Sequence, residues 1–331
     1  MTNNGKSYSQ MRHDYIKDWP NAQPFVVEKE YNTKIANFKE QGKELFLPHP
    51  ISHSSDTYHN IAVSFLIDAL DVMPLHPNFA FDFIFRAFDN YSGNLFSVST
   101  LKDKLERSID TWERIIENNE QVKSLFNKLL EHIPQITCQY LYSRIFKNFD
   151  GTKPAEEQSQ GELGLLLFRL LRIEKLNRNN FIIHDTKMKE IIELAFIKFG
   201  FNEQNYSDTI RKGSRFFYRY FNKDLVKLPS GENGNEKDFT IETRDKLHLL
   251  VNGILFTMRN DRAHGASSSS FKSSKASLRT YAHNHFCFMT IYFLLHLLMI
   301  DQRSSEIGVL TNVMNRNVDG YLEFYNGILE I

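Results

Sequence analysis

Leu247-His-Leu-Leu-Val-Asn-Gly-Ile-Leu-Phe-Thr-Met-Arg-Asn-Asp-Arg-Ala-His-Gly265 is the stretch that decides how this 331-residue chain reads. Leu247, Leu250, Val251, Ile254, Leu255 and Met258 recur at helical spacing, which predicts a rigid helix with a buried face. Arg259-Asn260-Asp261-Arg262-Ala263-His264 then ends it in polar side chains, and Gly265 suits the left-handed position just past a helix. An arginine is permanently cationic and forks onto phosphate oxygens. A histidine gives or takes a proton near neutral pH. Asn260 adds an amide donor and acceptor beside the arginine. Together at a helix end, Arg259 and His264 suit phosphodiester chemistry without a metal.

Spacing alone carries little weight. With 17 arginines and 12 histidines, an Arg-x4-His match arises by chance about half a time, and Arg279 and His285 nearly repeat it. Five positions along an ideal helix leave a net rotation of about 140°. Arg259 and His264 therefore do not share a face of an unbroken helix, whereas Asn260 and His264 do. Either the helix frays near Gly265 and His264 swings toward Arg259, or a second chain supplies the partner residue. The alternative is that Arg259, Arg262 and His264 are cations favourably placed at a helix C-terminus.

Arg259-Asn260-x3-His264 after an apolar helix, followed by a loop and a second apolar helix, resembles the active-site motif of HEPN proteins. These are α-helical and often dimeric, and many are metal-independent ribonucleases of prokaryotic defence and toxin–antitoxin systems. The resemblance covers about residues 238–302. It implies that Arg259 and His264 are catalytic and that Asn260 is the polar residue beside the arginine. One toxin subgroup carries a tyrosine two residues after the histidine, where its antitoxin adds nucleotides. Ala266 stands at that position here, so the resemblance does not extend to control by that modification.

A hydrophobic content of 41% and 28 phenylalanines predict one large buried domain or two smaller ones. Formal net charge is zero, so nucleic-acid binding requires a local basic patch. Cys138 and Cys287 show no metal-ligand spacing and suit a reducing cytoplasm. The first ten residues, MTNNGKSYSQ, have no apolar signal core. The run 286–300 is strongly apolar but contains His296 and is short for a bilayer. It is predicted to be a buried helix packed on the motif helix. No membrane, metal or cofactor is expected.

The pattern is all-α, a multi-helix bundle whose C-terminal part is expected, by the resemblance, to hold a HEPN-like core. Residues 1–50, with four prolines, read as an irregular arm with one helix at 27–42. Region 51–227 is helical. Asp56 caps a helix to Asp71 with Ile61, Phe65, Leu66 and Ala69 inward. Pro74 and Pro77 break it, and a helix follows through Ala80, Phe83, Ile84 and Ala87. Ser99 or Thr100 caps another through Leu101, Leu105, Ile109, Trp112 and Ile116. Further helices fit 120–132, 134–148, 157–176, 186–199 and 206–222. Residues 181–184 and 224–228 are able to pair locally as strands. Polar, turn-rich 228–237 reads as a flexible linker before the helical region 238–331. The serine-rich segment after Ala266 is either a solvated connector or a flap whose hydroxyls and Lys272 meet RNA.

Arg211, Arg215 and Arg219 recur every four residues and form one basic stripe able to track a nucleic-acid backbone, with Tyr218 or Tyr220 available to stack on a base. The plainer reading is an amphipathic helix with Phe216, Phe217, Tyr220 and Phe221 in the core. His49, His53 and His59 are close in sequence, but Pro48 and Pro50 prevent a regular ligand face. His283 and His285 either approach His264 or bond backbone groups. No phosphate-loop, dinucleotide or nucleophile-elbow motif occurs.

The expected function is therefore an RNA endonuclease. His264 acts as general base or acid, Arg259 holds the scissile phosphate, Asn260 orients it, and Arg211, Arg215, Arg219, Arg262 and Lys272 bind RNA. A single Arg–His pair offers one proton-transfer group, so a homodimer with a composite site is expected, with the motif helix and 286–300 near its two-fold interface. The alternative is a non-catalytic RNA-binding or protein-interaction module of a defence complex, with an antitoxin or other protein as partner.

Overall fold

A computed structural model describes residues 6–51, 54–158, 161–176, 181–230, 235–264, 271–300 and 304–329. In chain order the helices are α1 (Tyr8–Lys17), α2 (Val26–Glu40), α3 (Thr57–Asp71), α4 (Pro77–Phe96), α5 (Leu101–Asn118), α6 (Glu120–Glu131), α7 (Gln135–Phe146) and α8 (Gly161–Leu170). Two short strands come next, β1 (Ile173–Lys175) and β2 (Phe181–Ile183), then α9 (Thr186–Phe199), α10 (Tyr206–Asn222), β3 (Leu225–Ser230) and β4 (Asn235–Thr240). The last part holds α11 (Thr243–His248), a π-helical stretch (Leu249–Leu255), α12 (Phe256–Ala263), α13 (Leu278–Ile300) and α14 (Ser304–Phe324). The fold is all-α, with two small two-stranded antiparallel ribbons, β1–β2 and β3–β4.

The core is organised around α13. Every residue from Tyr281 to Ile300 is buried, on all sides of the helix. A helix that is apolar all round must be enclosed, and here α4, α5, α7, α14 and the π stretch enclose it. The helix is long and apolar enough to cross a membrane, yet 94% of its apolar window is buried inside the chain, as expected of a core helix. It does touch the π stretch of the motif helix, as the sequence predicts, but its chief neighbour is α4. Polar anchors fix its depth. The Trp112 indole Nε1–H donates to the Leu294 carbonyl at 2.7 Å, and the His49 N–H donates to the Tyr292 hydroxyl at 2.6 Å.

The N-terminal segment is tied into this core. Tyr31, Ile35 and Phe38 of α2 are buried, and the Asn317 amide accepts from the Leu47 N–H at 2.7 Å and donates to its carbonyl at 2.9 Å. Residues 8–17 form a helix that the sequence pattern does not predict.

Side-chain caps fix several helix starts. The Asp56 carboxylate accepts from the Tyr58 N–H at 3.0 Å, and the Thr100 hydroxyl accepts from the Asp103 N–H at 3.2 Å. On α3, Leu66 and Ala69 are buried and Phe65 half-buried, as expected, but Ile61 is exposed and Ala62 is buried in its stead, because the small alanines let α3 lie close against α4, its main neighbour. The helix expected over 157–176 is shorter, since Leu170 ends α8 and Arg172 takes up a left-handed backbone (φ 50°) that leads into β1. Both expected strand segments pair, each with its own sequence neighbour. Within 228–237, expected to be a flexible linker, residues 228–230 and 235–237 pair in the β3–β4 ladder. Val226 and Leu228 alternate inward and Phe239 packs from the other arm. The tip, 231–234, lies outside the described residues.

Candidate functional site

The helix bearing Arg259 begins at the surface, crosses the core and re-emerges. At its start the Glu242 N–H donates to the Asp245 carboxylate at 2.8 Å. From Lys246 to Leu255 every residue is buried, so the apolar periodicity of this stretch reflects complete enclosure and not one buried stripe. The π geometry of 249–255 admits an extra residue relative to an α-helix and turns α12 by about 100° about the helix axis. Gly253 allows close approach there: a Cβ would lie 3.0 Å from Leu141 and 3.2 Å from Leu249. The Thr257 hydroxyl donates to the Asn252 carbonyl at 3.0 Å, satisfying one acceptor loosened by the wider turn.

Where the helix emerges, its polar residues diverge. Arg259 and Arg262 face a cleft of about 470 Å³ that also takes in Ala263 and, from one face of α4, Phe79, Asp82, Phe85, Arg86 and Asp89. Positions 79, 82, 86 and 89 keep helical spacing, so a single face of α4 forms the opposite wall. The Arg262 guanidinium holds Asp82 in a two-pronged ion pair, with Nε–H to Oδ1 at 2.7 Å. Lys104 pairs with Asp89 at 2.7 Å. Both cleft carboxylates are thus neutralised. Arg86 and Arg259 remain as guanidinium groups with no carboxylate partner among the described residues. Arg259 Nη1 donates to the Asn260 side-chain oxygen at 3.1 Å, which steadies the arginine. The C-terminal end of α12 carries partial negative charge, so the arginines, not the backbone, make this cleft attractive to an anion.

Asp261 points the other way. It is buried, accepts from the Tyr140 hydroxyl at 2.6 Å and pairs with Arg144, which also reaches Glu162 at 2.7 Å. Burial pushes the Asp261 carboxyl above its ordinary range, while the Tyr140 and Arg144 contacts pull it back. Burial and the adjacent carboxylate hold the Tyr140 phenol well up. Beside them Arg169 donates to the Thr257 hydroxyl at 3.0 Å and lies over the Phe256 ring, and burial pushes it down to about 10. Removing one member of a buried pair of this kind costs about 3–5 kcal/mol, so Asp261 bolts the motif to α7.

His264 caps α12 and is exposed, its N–H still bonded to the Asn260 carbonyl at 3.0 Å. The helix does not fray before it. No hydrogen bond or ion pair joins His264 to Arg259 among the described residues, and the helical rotation keeps them on different sides. Gly265, Ala266 and the serines 267–270 lie outside the described residues.

His283 and His285 are buried in α13, and no hydrogen bond or ring contact joins either to the exposed His264 among the described residues. His283 Nδ1 is 2.9 Å from the Thr137 hydroxyl, a side-chain contact and not the backbone bond expected. Lys272 pairs with Glu28. On α10, Arg211, Arg215 and Arg219 are all exposed along one stripe, with Arg211 also bonded to Asp208 at 2.7 Å. Phe216, Phe217, Tyr220 and Phe221 are buried as the amphipathic pattern predicts. Tyr220 is therefore unable to stack on a base, and the Tyr218 hydroxyl is tied to the Glu131 carbonyl at 2.9 Å. His49, His59 and His296 border one small pocket. Among the described residues no group of three or more His, Cys, Asp or Glu side chains is placed to hold a metal ion; His53 lies outside the described residues.

Sequence reasoning missed Asp82, Arg86, Tyr140 and Arg144, which reach the motif from distant segments. The helical spacing of 79, 82, 86 and 89 was the available signal for the first two. Comparison with protein-family models, with curated proteins and with solved structures gives no match, so the family resemblance rests on the residues of the Arg259–His264 segment.

Proposed function

We propose that this chain is a metal-independent RNA endonuclease of the type its motif resembles. The observation that carries the reading is the state of Arg259. It is a guanidinium steadied by Asn260, free of any carboxylate among the described residues, and set in a cleft between α12 and α4. Arg259 holds the scissile phosphate and stabilises the charge that builds on its oxygens. RNA carries its own nucleophile. The 2′-oxygen loses its proton to one histidine and bonds to the adjacent phosphorus, and the bond from phosphorus to the 5′-oxygen breaks. That leaving oxygen takes a proton from a second histidine. The products are a 2′,3′-cyclic phosphate and a 5′-hydroxyl.

One chain supplies a single exposed motif histidine, on a different side of the helix from Arg259. The reading therefore needs a symmetric dimer in which the two motifs share one cleft, so that His264 of both chains serves it, one as base and one as acid. The run 286–300, expected near that interface, cannot contribute to it, because it is enclosed within its own chain. The exposed end of α12, which carries His264, would then lie at the interface. A cytoplasmic role in prokaryotic defence, with an antitoxin or other protein partner, rests on the resemblance alone.

A second reading is a non-catalytic module that binds RNA or a protein. The separation of Arg259 from His264 within one chain favours it. The two separate on a cleavage assay in EDTA. The enzyme reading expects chelator-insensitive cleavage of RNA. Cleavage abolished by EDTA and restored by Mg²⁺ or Mn²⁺ assigns the chemistry elsewhere, and no cleavage under any condition favours the binding module.

A further inference from the structure

The cleft beside Arg259 has an aromatic ring at its mouth that core packing does not account for. Phe79 shares the cleft-lining face of α4 with Asp82 and Arg86, yet it is 45% exposed, whereas Phe85 on the same wall is 2% exposed. The ring neighbour of Phe79 is His76, at 5.7 Å between centroids. Arg86 is exposed and leans over the Phe83 ring at 5.8 Å. Phe79 and Arg86, seven residues apart, are separated by about 10 Å along the helix axis. Between them Asp82 is occupied by Arg262 on both oxygens, so no bare carboxylate repels an anion there.

Resting on the RNA reading above, we propose that Phe79, Arg86 and Arg259 form a subsite for one unpaired nucleotide. The base stacks on Phe79 and the adjoining phosphate lies between Arg86 and Arg259. Every base has a π-face, and an exposed ring beside paired guanidinium groups is the chemistry that holds single strands without regard to sequence. A base inside a duplex has both faces covered by its neighbours, so the subsite selects unpaired RNA. The cleft volume of about 470 Å³ is suited to a ligand of nucleotide size.

The test is fluorescence anisotropy with three labelled probes of equal length: single-stranded oligouridylate, an RNA duplex, and an abasic ribose-phosphate strand. Phe79→Ala is expected to weaken oligouridylate binding by about tenfold, the effect of one lost base–aromatic stack. Phe79→Tyr should restore it to within about twofold, and binding of the abasic strand should not change in either variant. Arg86→Ala and Arg259→Ala should weaken both single strands and reduce the salt dependence. Phe79 and Arg86 are exposed, and unchanged circular dichroism confirms that each variant is folded. If Phe79→Ala binds oligouridylate like wild type while Arg259→Ala does not, the base subsite is overturned and the RNA reading stands. Duplex bound as tightly as single strand overturns the subsite as well. If neither arginine variant changes the affinity for any probe, the RNA reading of this cleft fails with it.

Discussion

Mild acid should weaken this protein at pH values above the range in which carboxylates protonate, and three histidines of α13 are the reason. His283, His285 and His296 are buried, and burial pushes them down to about 4, about 3 and about 3. His283 faces Thr137 and Cys287, His285 faces Phe46, Tyr321 and Tyr325, and His296 faces His49 and Tyr292. Glu306 lines the same small pocket as His49 and His296, but burial and the neighbouring His49 still hold His296 down. The unfolded chain binds protons near pH 6.5, as a free imidazole does, and the folded chain refuses them. The stabilisation is therefore complete above about pH 6.5 and is lost as pH falls toward the folded values. Each pH unit below about 6.5 costs about 1.4 kcal/mol per histidine. At pH 5 that is about 2 kcal/mol each and about 6 kcal/mol for the three, against a total stability of about 5–15 kcal/mol. Asp261, whose carboxyl burial raises, opposes this trend, because the folded chain takes up its proton before the unfolded chain does. Urea unfolding monitored by circular dichroism at pH 7.5 and pH 5 measures the difference. In His285→Leu, a substitution into a site already walled by aromatic rings, the loss between the two pH values should shrink by about 2 kcal/mol. An equal loss in wild type and variant, or a wild-type loss under about 1 kcal/mol, refutes the assignment.

The same geometry fixes three other outcomes. In Gly213→Ala the new methyl would lie 2.1 Å from the buried Tyr142 ring, whose hydroxyl is held by the Phe199 carbonyl at 2.8 Å. A destabilisation of about 1–3 kcal/mol is expected in thermal melts, and a change under about 0.5 kcal/mol contradicts the packing. Reversing the charge at Arg211, Arg215 and Arg219 together should weaken RNA binding and flatten its dependence on salt; unchanged affinity in the folded triple variant leaves that stripe as a solvated face of α10. Mixing wild-type chains with an excess of His264→Ala chains should drop cleavage below the simple wild-type fraction if two histidines serve one cleft. Activity that tracks the wild-type fraction makes each chain self-sufficient.

The helices were legible because each carries its own local signals. Asp56 and Thr100 cap where their side chains predict, and α9 and α10 occupy the residues their periodicity marks out. What escaped depends on contacts that no local pattern encodes. On helix α3 the expected Leu66 and Ala69 are buried, but the close approach of α4 buries Ala62 as well and leaves Ile61 outside. The β3–β4 ribbon reads as a linker because its second arm buries a single residue, Phe239, leaving almost no alternation to see. The π stretch is invisible to a period of 3.6 when every position from Lys246 to Leu255 is enclosed. At the motif, sequence spacing identified Arg259, Asn260 and His264 as candidates. The partners that divide their roles stand far away along the chain, Asp82 for Arg262 and Tyr140 and Arg144 for Asp261.

The most direct test of the proposed chemistry compares wild type, Arg259→Ala and His264→Ala on one end-labelled RNA in EDTA, with binding measured on the same preparations. His264 is exposed at a helix end, so its loss should leave fold and binding intact while cleavage falls by two orders of magnitude or more, roughly the contribution of a positioned proton-transfer group. Wild-type products should end in a 2′,3′-cyclic phosphate. Cleavage undiminished in His264→Ala, or products bearing a 5′-phosphate, would contradict the assignment of this chemistry to the Arg259–His264 segment.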